Sequence, residues 1–217
     1  MIKKLSRHEM ARRVAQDIPD GAYVNLGIGL PVTVLDHFNP EHEIIVHSEN
    51  GILGMRSLKS GEAPDPDVAN AAKLPVGLVQ GGSFFHHADS FAMMRGGHLD
   101  YCILGGYQVS ATGDLANWSL GQPGVATAVG GAMDLAVGAK RVYVLMEHAT
   151  RDGKPRLLDT CTLPLTGRGV VKRVYTDLAV IDVTPAGFCV REMVQGISEA
   201  QLQSMTGAAL RFELQKA

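Results

Sequence analysis

His47-Ser48-Glu49-Asn50-Gly51-Ile52-Leu53-Gly54 follows directly on the apolar run Ile44-Ile45-Val46. That run predicts a buried strand, so Glu49 leaves the strand at its carboxyl end. In open α/β sheets ligands collect at this edge, because loops and helix starts there present donors without disturbing the packed sheet. The two glycines permit positive φ and close backbone approach, which lets the turn expose Glu49 while its neighbours stay packed. Two roles stand open for the side chain: a reactive carboxylate in a crevice, or a cap on the following turn.

Upstream, Ala22-Tyr23-Val24-Asn25-Leu26 reads as a strand, and Gly27-Ile28-Gly29-Leu30-Pro31 as a glycine turn feeding a helix with Pro31 near its first position. Such a loop offers N–H groups to an anion or a carbonyl oxygen. Gly27 and Gly29 lack the third glycine and the downstream acid of a dinucleotide site, so a tight turn explains them equally well. The chain before this unit predicts a helix, with Ser6 and Glu9 as a capping box, Leu5 stapled to Met10, and Met10, Ala11, Val14, Ala15 and Ile18 on one face.

Downstream, the polar, proline-broken stretch 60–67 predicts a surface loop, and Lys73 stands either at the mouth of the crevice or in solvent. Gly81-Gly82 reads as a turn leading to a short helix through Phe91, Met93 and Met94, which are assigned to the core. Adjacent His86 and His87 have no third ligand at recognisable spacing, so no metal site is expected. Leu99–Leu104 and Arg141–Met146 read as buried strands. Between them, Trp118 is assigned to packing, and Gly130-Gly131 opens a helix at Ala132 whose N–H groups and dipole favour negative charge. These two glycines are the oxyanion-hole candidates. Glu147-His148 is either a second polar cluster at the crevice or a structural hydrogen-bonding pair. Three further β patterns from Val170 to Val190 predict a meander covering the sheet, and Ser198 with Gln201 caps a last helix.

The chain of 217 residues is read as a single domain, 1–217. A formal charge of -2 and the lack of a long basic run give no reason to expect nucleic acid or an anionic membrane surface. Although 46% of the residues are hydrophobic, no uninterrupted apolar run approaches the roughly 20 residues of a membrane span. Lys3-Lys4 is followed by Arg7, His8 and Glu9 in place of an apolar signal core, so a cytoplasmic location is expected. Cys102, Cys161 and Cys189 show neither disulfide-framework nor zinc spacing and are assigned as buried thiols.

The octapeptide resembles the His/Gln-Ser-Glu-Asn-Gly signature of the family I CoA-transferases, in the β subunit of the 3-oxoacid and 3-oxoadipate enzymes. The likeness continues through Tyr23–Pro31, Met94–Asp100, Gly113–Trp118, Gly130–Leu135, Gly138–Val142, Met146–His148 and Leu163–Gly167. It implies an α/β fold with an open, mainly parallel sheet flanked by helices and a C-terminal β-rich portion. It further implies a separate α subunit in an α2β2 assembly. By the same resemblance Glu49 is the nucleophile, Asn25 and Lys73 contact CoA along with the loop of Gly27 and Gly29, and Gly130-Gly131 supplies the oxyanion site. No prosthetic group is implied; coenzyme A enters as part of the substrate.

The chemistry that follows is demanding. Exchanging a carboxylate of pKa about 4.3 for a thiolate of about 8.5 is roughly 6 kcal/mol uphill, so fixed oxyanion donors and remote contacts to the CoA arm must offset it. Water must be kept from the anhydride intermediate, which argues for a site closed at the subunit interface. The stretch Phe84–Phe91 looks more like the 3-oxoadipate enzymes, implying succinyl-CoA as donor, with acetoacetate as the alternative acceptor. A dicarboxylate needs a second cation, for which His86, His87 and Arg95 are candidates. A non-catalytic metabolite-binding subunit on the same fold is the reading from another class, and a thioesterase results if water enters.

Overall fold

The computed structural model describes residues 2–122, 124 and 127–214. In chain order the elements are α1 (Arg7–Gln16), β1 (Tyr23–Leu26), a 3-10 helix (Leu30–His37), β2 (Ile45–Ser48), β3 (Ile52–Arg56), β4 (Gly77–Phe84), α2 (His87–Arg95), β5 (Tyr101–Leu104), β6 (Gln108–Ser110), β7 (Leu115–Ala116), α3 (Ala132–Gly138), β8 (Arg141–Leu145), β9 (Leu157–Leu158), β10 (Val171–Tyr175), β11 (Ala179–Thr184), β12 (Gly187–Met193), α4 (Glu199–Ser204) and β13 (Leu210–Phe212). Ten of the strands form one sheet in the order β13-β12-β11-β10-β8-β5-β1-β2-β3-β4, and β7-β6-β9 make a small second sheet. The central strands β10, β8, β5, β1 and β2 run parallel. Antiparallel pairings extend them through β3 and β4 on one side and through β11 and β12 on the other.

Strand periodicity divides the core into two halves, one on each face of this sheet. Cys102, Leu104, Val142 and Val144 pack in one cluster with Met94, Leu135 and Leu202 from the helices. Their neighbours Tyr101, Ile103, Tyr143 and Leu145 point into the other, with Met10, Val14 and Ile18 of the α1 region and Val34. Helix α1 begins at the expected Ser6/Glu9 capping box and Leu5 packs against the same cluster as Met10. At its far end Asp17 accepts from Arg13 Nη1 (2.7 Å), Arg173 Nη1 (2.7 Å) and Tyr175 Oη (2.6 Å), which ties the helix to β10.

Three expectations are corrected. The C-terminal meander does not cover the sheet: β10, β11 and β12 continue it edgewise, with β10 beside β8. Both faces of these strands are apolar. Val174 and Ile181 enter one core half and Tyr175 and Val180 the other, so the meander must lie in the plane of the sheet and be covered on both sides. Gly81-Gly82 is not a turn but the interior of β4, where the β3 pairing shifts register and a β-carbon on Gly82 would sit 3.0 Å from the Leu53 carbonyl oxygen. The segment after Pro31 is a 3-10 helix rather than an α-helix.

Candidate active site

Strands β2 and β3 are joined by the three residues Glu49-Asn50-Gly51, and Gly51 N–H closes the loop by donating to Ser48 O at 2.9 Å. Gly51 has φ +107°, and a β-carbon there would collide with the Phe85 carbonyl, so the tight turn requires glycine. Asn50 Nδ2 donates to Ala69 O (2.7 Å) and Ala71 N–H to Ser48 Oγ (3.0 Å), clamping the loop to the segment behind it. The element that follows is a strand, and no hydrogen bond among the described residues reaches the Glu49 carboxylate. The capping role therefore falls away.

Glu49 lines a cleft of about 820 Å³ that runs along the carboxyl ends of β2, β1, β5 and β8. The chain passes from β1 to β2 on one side and returns as β5 on the other side of β1, which is where an α/β sheet opens a crevice. At the floor, Gly27 N–H donates to Ile103 O (2.8 Å), and a β-carbon on Gly27 would lie 3.1 Å from both that oxygen and Leu104 Cδ2. Glycine keeps the two strand ends together.

Beneath the cleft a polar rung crosses the sheet through residues that are register partners: Asn25 with His47 on β2 and with Cys102 on β5. Asn25 Nδ2 donates to His47 Nδ1 (3.0 Å) and to His47 O (3.2 Å). The His47 Nδ1 must then accept, so its proton sits on Nε2, which lies 2.9 Å from Ser90 Oγ on α2. Burial pushes the His47 pKa down to about 4, keeping the ring neutral. The rung thus fixes the backbone immediately before Gly27 and before Glu49.

Burial also raises the Glu49 pKa above the ordinary carboxylate value; His87 opposes this electrostatically and Asp134 adds to it. A more basic carboxylate is a better nucleophile once ionised, and it narrows the gap to a thiol. Over the carboxylate stands Gly131, the N-cap of α3, where a β-carbon would fall 3.0 Å from Glu49 Cδ and 3.2 Å from Phe91 Cζ. Backbone and carboxylate are in direct apposition.

Of the residues singled out from sequence, Glu49, Asn25, Gly27, Gly130 and Gly131 line the cleft together. Gly29 is not on the wall: with φ +90° it caps the 3-10 helix. Lys73 is also off the wall, on an exposed turn at φ +62° whose N–H donates to Asn70 O at 2.8 Å. Two of the three proposed second cations are engaged elsewhere, and the third, His87, is off the cleft wall although close enough to Glu49 to act on its charge. His86 N-caps α2 through Ala88 N–H, His87 is exposed and packs on Phe91, and Arg95 pairs with Asp134 at 2.6 Å. Glu147 and His148 divide: Glu147 lines the cleft, whereas His148 is fully buried between Thr176 and Thr206. Sequence reasoning missed Trp118 and Arg156 as wall residues. Trp118 does pack, donating Nε1–H to Leu165 O (3.2 Å), yet one side faces the cleft. Its membership in the family-like stretch Gly113–Trp118 was the available signal.

A family model described as Coenzyme A transferase matches residues 7–198. The B-type subunit of the 3-oxoadipate CoA-transferase of Pseudomonas putida is 55% identical over 208 residues, covering 96% of this chain and 97% of its own length. Its counterpart of the same name in Acinetobacter baylyi is 52% identical, covering 95% of both chains. The B-type subunit of the succinyl-CoA:3-ketoacid coenzyme A transferase of Helicobacter pylori is 43% identical, covering 96% of this chain and 100% of its own. Among solved structures, the apoenzyme of an acyl-CoA transferase from Escherichia coli O157:H7 superposes with a TM-score of 0.75 at 17% identity, over 98% of this chain and 43% of that longer one. That likeness carries the fold, and the sequence matches carry the rest: the chain belongs to the coenzyme A transferase family.

Proposed function

We propose that this chain is the B-type subunit of a transferase that moves CoA from succinyl-CoA to 3-oxoadipate through a thioester on Glu49. The observation that carries the reading is the Glu49 carboxylate itself, half-buried, made more basic, free of hydrogen bonds among the described residues and set against Gly131 at the strand-end cleft. The names of the relatives favour the dicarboxylic acceptor, with acetoacetate as the alternative.

A Glu49 carboxylate oxygen attacks the thioester carbonyl, the C–S bond breaks, and CoA leaves as the thiolate. The thiolate attacks the glutamyl carbonyl of the resulting anhydride, the C–O bond breaks, and the first acid departs as its carboxylate. A second acid then attacks the glutamyl thioester and the two steps run in reverse. The charge developing on each tetrahedral oxygen falls to the backbone at Gly130 and Gly131. Asn25 and Gly27 shape the floor beneath the thioester, and the loop at Gly29 and the exposed Lys73 are left for the outer part of the CoA arm. The steps call for no prosthetic group, since the nucleophile is the Glu49 carboxylate, the leaving group and the acceptor acid belong to the substrates, and no oxidation state changes.

An α subunit, in an α2β2 assembly, closes the cleft against water. Ile28 supports this, as it lines the cleft yet remains 67% exposed in the single chain. The chain reads as one unit over 1–217, acting in the cytoplasm; no helix among the described residues is long and apolar enough to cross a membrane.

The test is mass spectrometry of the complex reconstituted with its α subunit after exposure to succinyl-CoA. A CoA adduct on Glu49 is expected, absent in Glu49→Ala and strongly reduced in Glu49→Asp, whose carboxylate is one methylene short. Transfer retained in Glu49→Ala overturns the assignment.

A further inference from the structure

We propose that Arg156 binds the distal carboxylate of a dicarboxylic acyl group in the cleft, and so selects diacids in both halves of the reaction. The inference rests on the transferase reading above and deepens it. Succinyl-CoA and 3-oxoadipate share one feature beyond the reacting carbonyl, a second carboxylate, and a single cation facing the cleft serves both.

Arg95 and His86 are spent on Asp134 and the α2 cap, and His87, packed on Phe91, does not line the cleft. At the β8 end of the cleft the arrangement is different. Arg7, Arg151 and Arg156 line it, and none of the three forms an ion pair among the described residues. Arg156 stands out because its Nε is enclosed and has no hydrogen-bond partner. The enclosed Nε cannot itself meet a ligand, but the terminal nitrogens are not enclosed and form no hydrogen bond among the described residues, which leaves that edge of the guanidinium for a carboxylate in the cleft. Glu147 shares this end without pairing with a cation, so the arginines outnumber the carboxylate.

The backbone around Arg156 is well held. Its N–H donates to His148 O (3.2 Å), and its carbonyl accepts from Val109 N–H (2.9 Å), at the start of β9. Reach favours a short diacid. From β2 to β8 is three strand spacings, about 14 Å. An arginine side chain and a short acyl chain laid end to end are on the scale of that width. The diphosphate of CoA lies at the end of the much longer pantetheine arm.

The test uses the complex reconstituted with its α subunit and reads the second-order rate of Glu49–CoA adduct formation from succinyl-CoA and from acetoacetyl-CoA, in wild type, Arg156→Gln and Arg156→Lys. The ratio of the two rates is the readout, because any loss of correctly folded protein cancels in it. Arg156→Gln is expected to lower the succinyl-to-acetoacetyl ratio by about 10- to 100-fold, the effect of losing one charge-assisted contact, with partial recovery in Arg156→Lys. An unchanged ratio, including equal loss on both thioesters as expected of a phosphate contact, overturns the assignment of Arg156 while leaving the transferase reading intact. A wild-type complex that forms no adduct from either thioester overturns both.

Discussion

Gly131 and the Glu49 carboxylate are packed so closely that a β-carbon added to the glycine would stand 3.0 Å from Glu49 Cδ. The backbone of Gly131, at φ −79° and ψ 0°, suits any L residue, so the position requires glycine for space alone. Gly130 is the converse case, with open space around it but φ +56°. Gly131→Ala is therefore expected to fold with a near wild-type melting temperature while displacing the carboxylate. A misplacement of about 1 Å costs on the order of 100-fold in rate, and kcat is expected to fall by about that factor. A variant that keeps wild-type kcat would show that the carboxylate moves away from Gly131 before it reacts.

Raising the Glu49 pKa has consequences of opposite sign for activity and stability. The ionised form is the nucleophile, so the acid limb of the pH–rate profile is expected above the ordinary 4.5 of a glutamate. For folding, a carboxyl that is a weaker acid in the native state than in the unfolded chain adds stability at low pH. It loses that contribution as the pH rises through its native value. At pH 7 the ionised, half-buried group is a net burden. Glu49→Gln is expected to melt higher than wild type at pH 7, with the difference shrinking toward pH 4, as thermal melts across that range will report. A lower melting temperature for the Gln variant at pH 7 contradicts this account.

The legibility of these features in the sequence follows their locality. Ser6/Glu9 and Ser198/Gln201 announce their helices through contacts three residues apart, and both capping boxes are present. The strand ahead of Glu49 is visible as an apolar run because parallel strands are covered on both faces. Glycines are ambiguous by the same logic: Gly51 serves a turn, Gly82 a close pairing inside β4, and Gly131 the space beside a carboxylate. What distinguishes them is the atom opposite, which lies from about 30 to 80 residues away along the chain. Arg156 was invisible for that reason. Its significance comes from a cleft assembled by β8, the loop after it and α1, and from the ion pairs that occupy other arginines instead.

The two fully buried histidines predict an acid transition. His47 and His148 are both held neutral by burial, with pKa values near 4 against 6.5 for an exposed ring. A histidine whose native value is depressed contributes stability that is complete above its unfolded value and is lost as the pH falls through the native one. The window is therefore pH 6.5 to 4, and each ring accounts for about 3 kcal/mol across it. His148 also has Asp177 and Lys4 nearby, which act in opposite directions. Urea titrations at pH 7, 6, 5 and 4 are expected to show a steady fall in stability, and His148→Gln to flatten that dependence by about half. A wild-type profile without slope in this window is incompatible with neutral buried rings.

Asp17 offers the complementary case, far from the cleft. Its carboxylate accepts hydrogen bonds from Arg13, Arg173 and Tyr175, and its side chain is 20% exposed. Burial raises its pKa, but the bonds from Arg13, Tyr175 and Arg173 outweigh that and hold it below the usual aspartate value. The group therefore stabilises the fold at neutral pH and ceases to do so as the pH falls through its native value. Asp17→Asn keeps the shape but removes the charge between two guanidiniums, which retain Glu192 and Asp182 as partners. A loss of about 2 to 3 kcal/mol at pH 7 is expected, in line with charged hydrogen bonds of this burial, and the deficit should narrow in acid. Because Asp17 touches α1 and β10 and none of the cleft wall, KM for both substrates should stay at the wild-type value below the melting temperature. A raised KM with an unchanged urea midpoint would place the network in the service of the cleft instead of the helix.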